Sequence, residues 1–354
     1  MTGHAAIVGG GLSGFVAYLT LRRAGIEDVA VFADEDDPAA AFRRRAAAIR
    51  QTHMRSESDG HCLPTSFPGL AVRDARTRRS LRPLAESVLD RYHPTVETFL
   101  AHVEEQQRVS GWAPVPVRVG RIRAVVGGFE LEGCGTFRHV LVATGHPGLH
   151  VPEELRGDPR VVHAYEPHEY ASKVAVIGAG MAAATEWLNA LAAGSEVISV
   201  RRREPLRRPL NVPRQYFSKR GLDGFHRTSP RARAALLEDL NRPSYPPGRE
   251  WEIATERFTV ARSVPADAQV IAATGFLKGF ASDPLLADLV ERHDLATQDR
   301  FIVLAPDSTV PALTNGCTLS LAGIAAQWAF PAADTIAGAK YAARAFADRV
   351  CRTR

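Results

Sequence analysis

The sequence predicts an α/β fold of two doubly wound, parallel-sheet domains, the second inserted in the first, with an antiparallel β-meander. Three observations carry that expectation. A strand, glycine turn, helix and strand open the chain, as HAAIVGGGLSGFVAYLTLRRAGIEDVAVF. The same order recurs later, as KVAVIGAGMAAATEWLNALAAGSEVISV. Two apolar runs with matching ends, VLVATG and VIAATG, flank that second unit.

In the opening unit, the apolar run Ala5 to Val8 breaks at a glycine turn, a helical pattern runs to Ala24, and Val29 to Phe32 follow as a second strand. Gly9, Gly11 and Gly14 stand at the G-x-G-x-x-G spacing, with Leu12 and Ser13 between the last two. The first glycine allows the tight turn, the second a close approach of backbone to a pyrophosphate, and the third close helix–strand packing. Free N–H groups and the dipole at the helix start favour the negative charge. The pattern predicts a Rossmann-like dinucleotide site, a plain packing turn being the alternative. An acid usually ends the second strand and holds the ribose; here Ala33 follows Phe32, so Asp34 or Glu35 is expected there. The run Asp34 to Asp37 reads equally as a solvated turn.

Residues 38 to 80 are irregular and arginine-rich, too long for a simple connection, and are read as an insertion. Residues 94 to 109 pattern as an amphipathic helix with Pro94 in its first turn. The runs VPVRVGRI, AVVGGFEL and FRHVLVATG predict three strands of a meander laid on the first sheet. The last of them, fully apolar from Val140 to Ala143, ends in Thr144 and Gly145 as a buried parallel strand would.

In the second unit Gly178 and Gly180 keep two fingerprint positions, Ala183 replaces the third glycine, and Met181 and Ala182 start the helix. Arg201 and Arg202 follow the second strand, where an acid would mark NAD; a guanidinium there suits the 2′-phosphate of NADP. Residues 204 to 250 read as an arginine- and proline-rich excursion of the second domain, with one helix from about Pro230 to Leu240. Thr274 and Gly275 close the second ATG run. Each ATG is expected where the chain crosses between domains. The tail supplies a glycine turn at Gly323 and Ile324, then a long helix after Pro331, and these small residues are expected against a cofactor ring. The expected division is 1–168 with 276–354 as one domain and 169–275 as the other.

Composition excludes several classes. At 354 residues, 45% apolar and 23% charged, the chain is that of a globular protein with room for two cores. The net charge is +5, lysine occurs only at 173, 219, 278 and 340, and the arginines are dispersed among few aromatics. No nucleic-acid partner is expected. Cys62, Cys134, Cys317 and Cys351 are far apart, so neither a metal site nor a disulfide framework is expected. No apolar run is long enough to span a bilayer, and residues 5 to 21, which lack a basic leader, coincide with the fingerprint, so no membrane partner and a cytoplasmic location are expected.

Together GGGLSG, ATGH, GAGMAA with its trailing arginines, AATGF and GIAAQWAFPAADTIAGAKYAA resemble the two-dinucleotide-binding-domain flavoproteins. Within them the chain resembles flavin-dependent monooxygenases of the flavin-containing, Baeyer–Villiger and N-hydroxylase group. Leu155, Gly157, His163 and Pro167 resemble that group's signature ahead of the second fingerprint, with two extra residues before His163, and Ala39 to Phe42 stand where the group has GGxW. The resemblance implies FAD on the first turn and NADPH on the second domain. NADPH reduces the flavin, dioxygen converts it to a flavin (hydro)peroxide, and one oxygen passes to a small-molecule substrate. It further implies that Gln51, His53 and Arg55, in the insertion, are the polar groups nearest the flavin. Two other readings share the plan: a ferredoxin–NADP reductase type without a redox dithiol, and a non-catalytic nucleotide-binding redox sensor. The oligomeric state, homodimer included, is open.

Overall fold

The computed structural model of the chain describes residues 2–54, 70–88, 94–208, 212–245, 249–314 and 316–353. β1 (Thr2–Val8) leads through the first glycine turn into α1 (Leu12–Arg23), and β2 (Val29–Phe32) returns parallel to β1, with Val8 opposite Phe32. The insertion carries α2 (Ala40–Ala48), α3 (Leu70–Thr77) and α4 (Arg82–Val88), and α5 (Val96–Ser110) follows. Thr95 caps α5 through its hydroxyl, which accepts from the Thr98 N–H at 3.0 Å. Pro94 therefore lies before the cap, not in the first turn: the hydroxyl of the next residue is the group that satisfies a free N–H.

The meander is β3 (Ile122–Val125), β4 (Gly128–Leu131) and β5 (Gly135–Val142). It is not laid on the parallel sheet as a second layer but continues it, in the order β2-β1-β5-β4-β3. β5 makes this possible: its first residues pair antiparallel with β4, while His139 to Val142 pair in parallel with a strand from the tail.

β6 (Val161–His163), β7 (Lys173–Ile177), α6 (Met181–Ala192) and β8 (Glu196–Val200) begin the second lobe. Its sheet draws on β6, six to eight residues ahead of residue 169, because β6 pairs with a later strand across the lobe. After β8 comes β9 (Leu206–Arg207), then α7 (Lys219–Arg227), α8 (Pro230–Leu240) and β10 (Ser244–Tyr245), which pairs with β9. This excursion does not stay with the second lobe. Leu222, Phe225, Ala234 and Leu237 bury against Trp328 and Phe330 of the tail, in the core of the first lobe. Arg233 is clamped there, its guanidinium 5.1 Å from the Phe225 ring and 4.9 Å from the Trp328 ring. Each such contact adds about 0.5–2 kcal/mol.

α9 (Arg249–Arg257), β11 (Thr259–Ala261) and β12 (Gln269–Ala272) complete an all-parallel second sheet, β11-β8-β7-β12-β6. The chain then returns to the first lobe with α10 (Pro284–His293), the hairpin β13 (Thr297–Gln298) and β14 (Phe301–Ile302), β15 (Thr318–Leu321) on β5, and α11 (Ile336–Arg352). α1 and α11 cover one face of the first sheet with Phe99 of α5, and α7, α8 and α10 add their apolar sides to the other. Among the described residues no helix is long and apolar enough to cross a membrane.

Candidate active site

Both glycine turns have the geometry that a phosphate cradle requires. Gly9 takes φ +110°, and a Cβ there would stand 2.3 Å from the Ala143 carbonyl oxygen, so only glycine fits between β1 and β5. The Gly9 N–H donates to the Phe32 carbonyl at 2.8 Å, which sets the chain's departure from the sheet. At Gly11 the situation is reversed: a Cβ would meet nothing within 4 Å. That open space lies at the start of α1, whose cap position, Gly11, supplies no side-chain hydrogen bond. The first N–H groups of α1 are thus left for an anion. In the second unit Gly178 repeats Gly9, at φ +138° with the Ala273 carbonyl 2.4 Å from its Cβ position. Gly180 caps α6, again without a side-chain bond, leaving Met181 and Ala182 in the first turn.

The two ATG segments meet at the crossing between lobes. His150 N–H donates to Gly275 O at 3.0 Å and Leu277 N–H to Gly148 O at 2.9 Å, while the Thr274 hydroxyl bonds to His150 O. His146 stacks on Phe276 at 4.1 Å between centroids, Tyr165 stacks on the same ring at 5.1 Å, and Arg45 of α2 sits 4.6 Å from its centroid. Burial, with the Arg45 charge nearby, pulls His146 down to about 4, so its imidazole is neutral at physiological pH. Its Nδ1 is buried without a hydrogen-bond partner.

A cavity of about 640 Å³ opens at this crossing. Gly178 to Ala182, Gly145, His146, Ala273 to Phe276 and Ile324 all line it. Gly323, adjoining, presses on the first turn, for a Cβ there would come 3.3 Å from the Ser13 hydroxyl. The cavity therefore touches the second turn directly and the first through the tail. Thr144 bonds through its hydroxyl to the Asp283 carboxylate at 2.7 Å, and Asp283 in turn caps α10 by accepting from the Leu285 and Leu286 N–H groups.

Other expected residues lie elsewhere. Glu35 is held by both terminal nitrogens of Arg44 at 2.7 Å, whereas among the described residues Asp34 meets only Arg118, at 3.9 Å, so Asp34 is the less tightly held of the two. Arg201 follows β8 directly, only 10% exposed and paired with Glu204; Arg202 is exposed and pairs with Glu154. Neither lines the cavity. Gln51 and His53, expected nearest the flavin, do not line it either. Residues 52 to 54 run instead as a short ladder against residues 94 to 96, and the Gln51 side chain donates to His53 O at 2.7 Å. Arg55 lies outside the described residues.

The sequence reading missed the cavity's cations. Arg208, Arg242, Lys278 and Arg300 all line it. They are spread over nearly a hundred positions, and no local pattern links them; the excursion of α7 and α8 and the β13–β14 hairpin bring them together. Phe276 had a signal, since it follows the second ATG as His146 follows the first.

No protein-family model matches the chain, and no curated protein sequence matches it. Solved structures do. The ornithine hydroxylase of Pseudomonas aeruginosa superposes with a TM-score of 0.73 at 16% identity, covering 100% of both chains. The ornithine N-hydroxylase of Kutzneria sp. 744, solved with reduced FAD, NADP+ and L-ornithine, gives 0.74 at 14% identity over 99% of each chain. The bacillithiol disulfide reductase of Bacillus cereus gives 0.64 at 14% identity over 100% of both chains. Over its whole length the chain has the fold these proteins share.

Proposed function

We propose that the chain is an FAD- and NADPH-dependent monooxygenase that oxygenates a small molecule, by N-, S- or Baeyer–Villiger-type chemistry. One observation carries the reading: a single interlobe cavity is lined by the second phosphate turn and both crossing segments, and abuts the first turn through Gly323 and Ser13. FAD fits the first lobe, where the open space at Gly11 and the uncapped N–H groups of α1 would hold its pyrophosphate and Asp34 its ribose. NADPH fits the second, on Gly180, Met181 and Ala182, with Arg201 and Arg202 toward its 2′-phosphate. When bound, FAD would accept hydride from NADPH and react with dioxygen.

The protein's own groups then have definite tasks. His146, kept uncharged by burial and the nearby Arg45, gives the cavity wall a neutral ring. The Phe276 stack walls the crossing against water. Asp283 fixes Thr144, which positions the first crossing beside the turn.

The similarity to a disulfide reductase favours a second reading, an NADPH-dependent reductase. Among the described residues no cysteine lines the cavity, which counts against direct dithiol chemistry. The two readings separate in isotopic oxygen: with NADPH, labelled dioxygen and a panel of amines, sulfides and ketones, a monooxygenase transfers label to product. NADPH consumption that reduces a disulfide or quinone, with no label in any product, would make the chain a reductase.

A further inference from the structure

The cavity's four cations fall into two pairs on neighbouring residues of α8. Arg208 and Arg242 both close on Asp239, at 3.0 and 3.3 Å. Arg300 closes on Glu238 at 2.9 Å, and the Lys278 ammonium makes no hydrogen bond or ion pair among the described residues, although the Lys278 carbonyl accepts from the Ser282 hydroxyl at 3.1 Å. The first pair sits beside the nucleotide turn, since Pro243, next to Arg242, lies 3.5 Å from the Cβ position of Gly180. The second pair belongs to the first lobe. A Cβ on Gly279 would stand 2.6 Å from that of Arg300, and the Phe280 N–H donates to Arg300 O, so the backbone after Lys278 is pressed onto Arg300.

This corner holds two cations for one carboxylate, Glu238, in a wall that also includes Leu277, Phe280 and Phe301. Glu238 does not itself line the cavity; the carboxylates that do are Asp283, already engaged by Thr144 and two N–H groups, and Asp334, just ahead of α11. Burial and mutual repulsion lower the pKa of Lys278, as burial lowers that of Arg300. Lys278 and Arg300 repel each other, and an arriving anion would offset that repulsion.

We infer that Lys278 and Arg300 form an anion subsite for a carboxylate of the substrate, separate from the phosphate contacts of NADPH. The inference rests on the monooxygenase reading for the word substrate, but the subsite is testable without turnover. Glutarate and cadaverine have chains of equal length, ending in carboxylates or in ammonium groups. Each is titrated calorimetrically into the full-length protein as purified, with NADP+ titrated separately.

Glutarate is expected to bind at least about tenfold tighter than cadaverine, the scale of one charge-assisted contact. Lys278→Met is expected to erase that preference, and Lys278→Arg to keep it, with NADP+ affinity unchanged in both. A drop in NADP+ affinity as large as the drop for glutarate would assign the pair to the nucleotide and overturn the proposal. So would cadaverine binding as well as glutarate, no glutarate binding, or glutarate binding indifferent to Lys278→Met. If glutarate behaves as expected while NADP+ and FAD fail to bind, the subsite stands and the monooxygenase reading falls.

Discussion

The His146 imidazole lies nearly parallel to the Phe276 ring, 17° off, with centroids 4.1 Å apart. These residues follow the two ATG segments, so the stack ties together the places where the chain leaves the first lobe and comes back. Tyr165 and Arg45 close on the same ring, the first from the second lobe and the second from α2 of the first.

Phe276→Ala removes a half-buried ring with three aromatic or cationic neighbours. Stability is expected to fall by about 2–3 kcal/mol, less than for a fully buried phenylalanine. Urea denaturation checks it; a loss below about 0.5 kcal/mol would show that the stack does not hold the crossing.

The glycine turns separate folding from binding. Gly9→Ala forces φ +110° on alanine and drives its methyl into the Ala143 carbonyl, so a loss above about 2 kcal/mol and poor recovery are expected. Gly11→Ala places its methyl in open space at an ordinary φ of −68°. Its flavin-free form is expected within about 1 kcal/mol of wild type, with FAD affinity down at least tenfold because the methyl occupies the phosphate's approach. Thermal denaturation and flavin fluorescence read the two effects apart.

Arg201→Ala is expected to raise KM for NADPH about tenfold and leave NADH nearly unaffected, the loss of one phosphate contact. Steady-state flavin reduction with both nucleotides measures it. Equal losses would remove Arg201 from the 2′-phosphate site and turn attention to Arg208 and Arg242.

His139, fully buried in β5, gives the pH dependence its sign. Burial first, then the neighbouring His4 and Arg138, lower it to about 4 from an ordinary value of 6.5. The unfolded chain therefore binds a proton that the folded chain refuses. The corresponding stability is complete above 6.5 and is lost as pH falls toward about 4. Denaturation curves through that window should steepen relative to His139→Gln; identical slopes would contradict the assignment.

Much of this architecture was legible because it is local. Both βαβ units, the helix from Pro230 to Leu240 and the long tail helix follow from apolar periodicity and glycine spacing within thirty or so residues. What could not be read is long-range. Nothing around Phe225 or Leu237 says that they bury beside Trp328 and Phe330, a hundred residues on, rather than in the lobe whose strands flank them. Gln51 and His53 were placed by resemblance alone; the structure pairs residues 52 to 54 with 94 to 96, and neither side chain lines the cavity. The cavity's cations escaped notice because arginine is dispersed through the chain and only the fold selects which ones converge.

The most direct measurement mixes the purified, flavin-loaded protein with NADPH without oxygen and follows the flavin absorbance. Wild type is expected to bleach in a saturable, single-site manner, and the flavin-loaded Arg201→Ala variant to need about tenfold more NADPH for the same rate. A protein that takes up no flavin, or whose bound flavin stays oxidised with excess NADPH, would contradict the claim that two phosphate cradles serve one shared cavity.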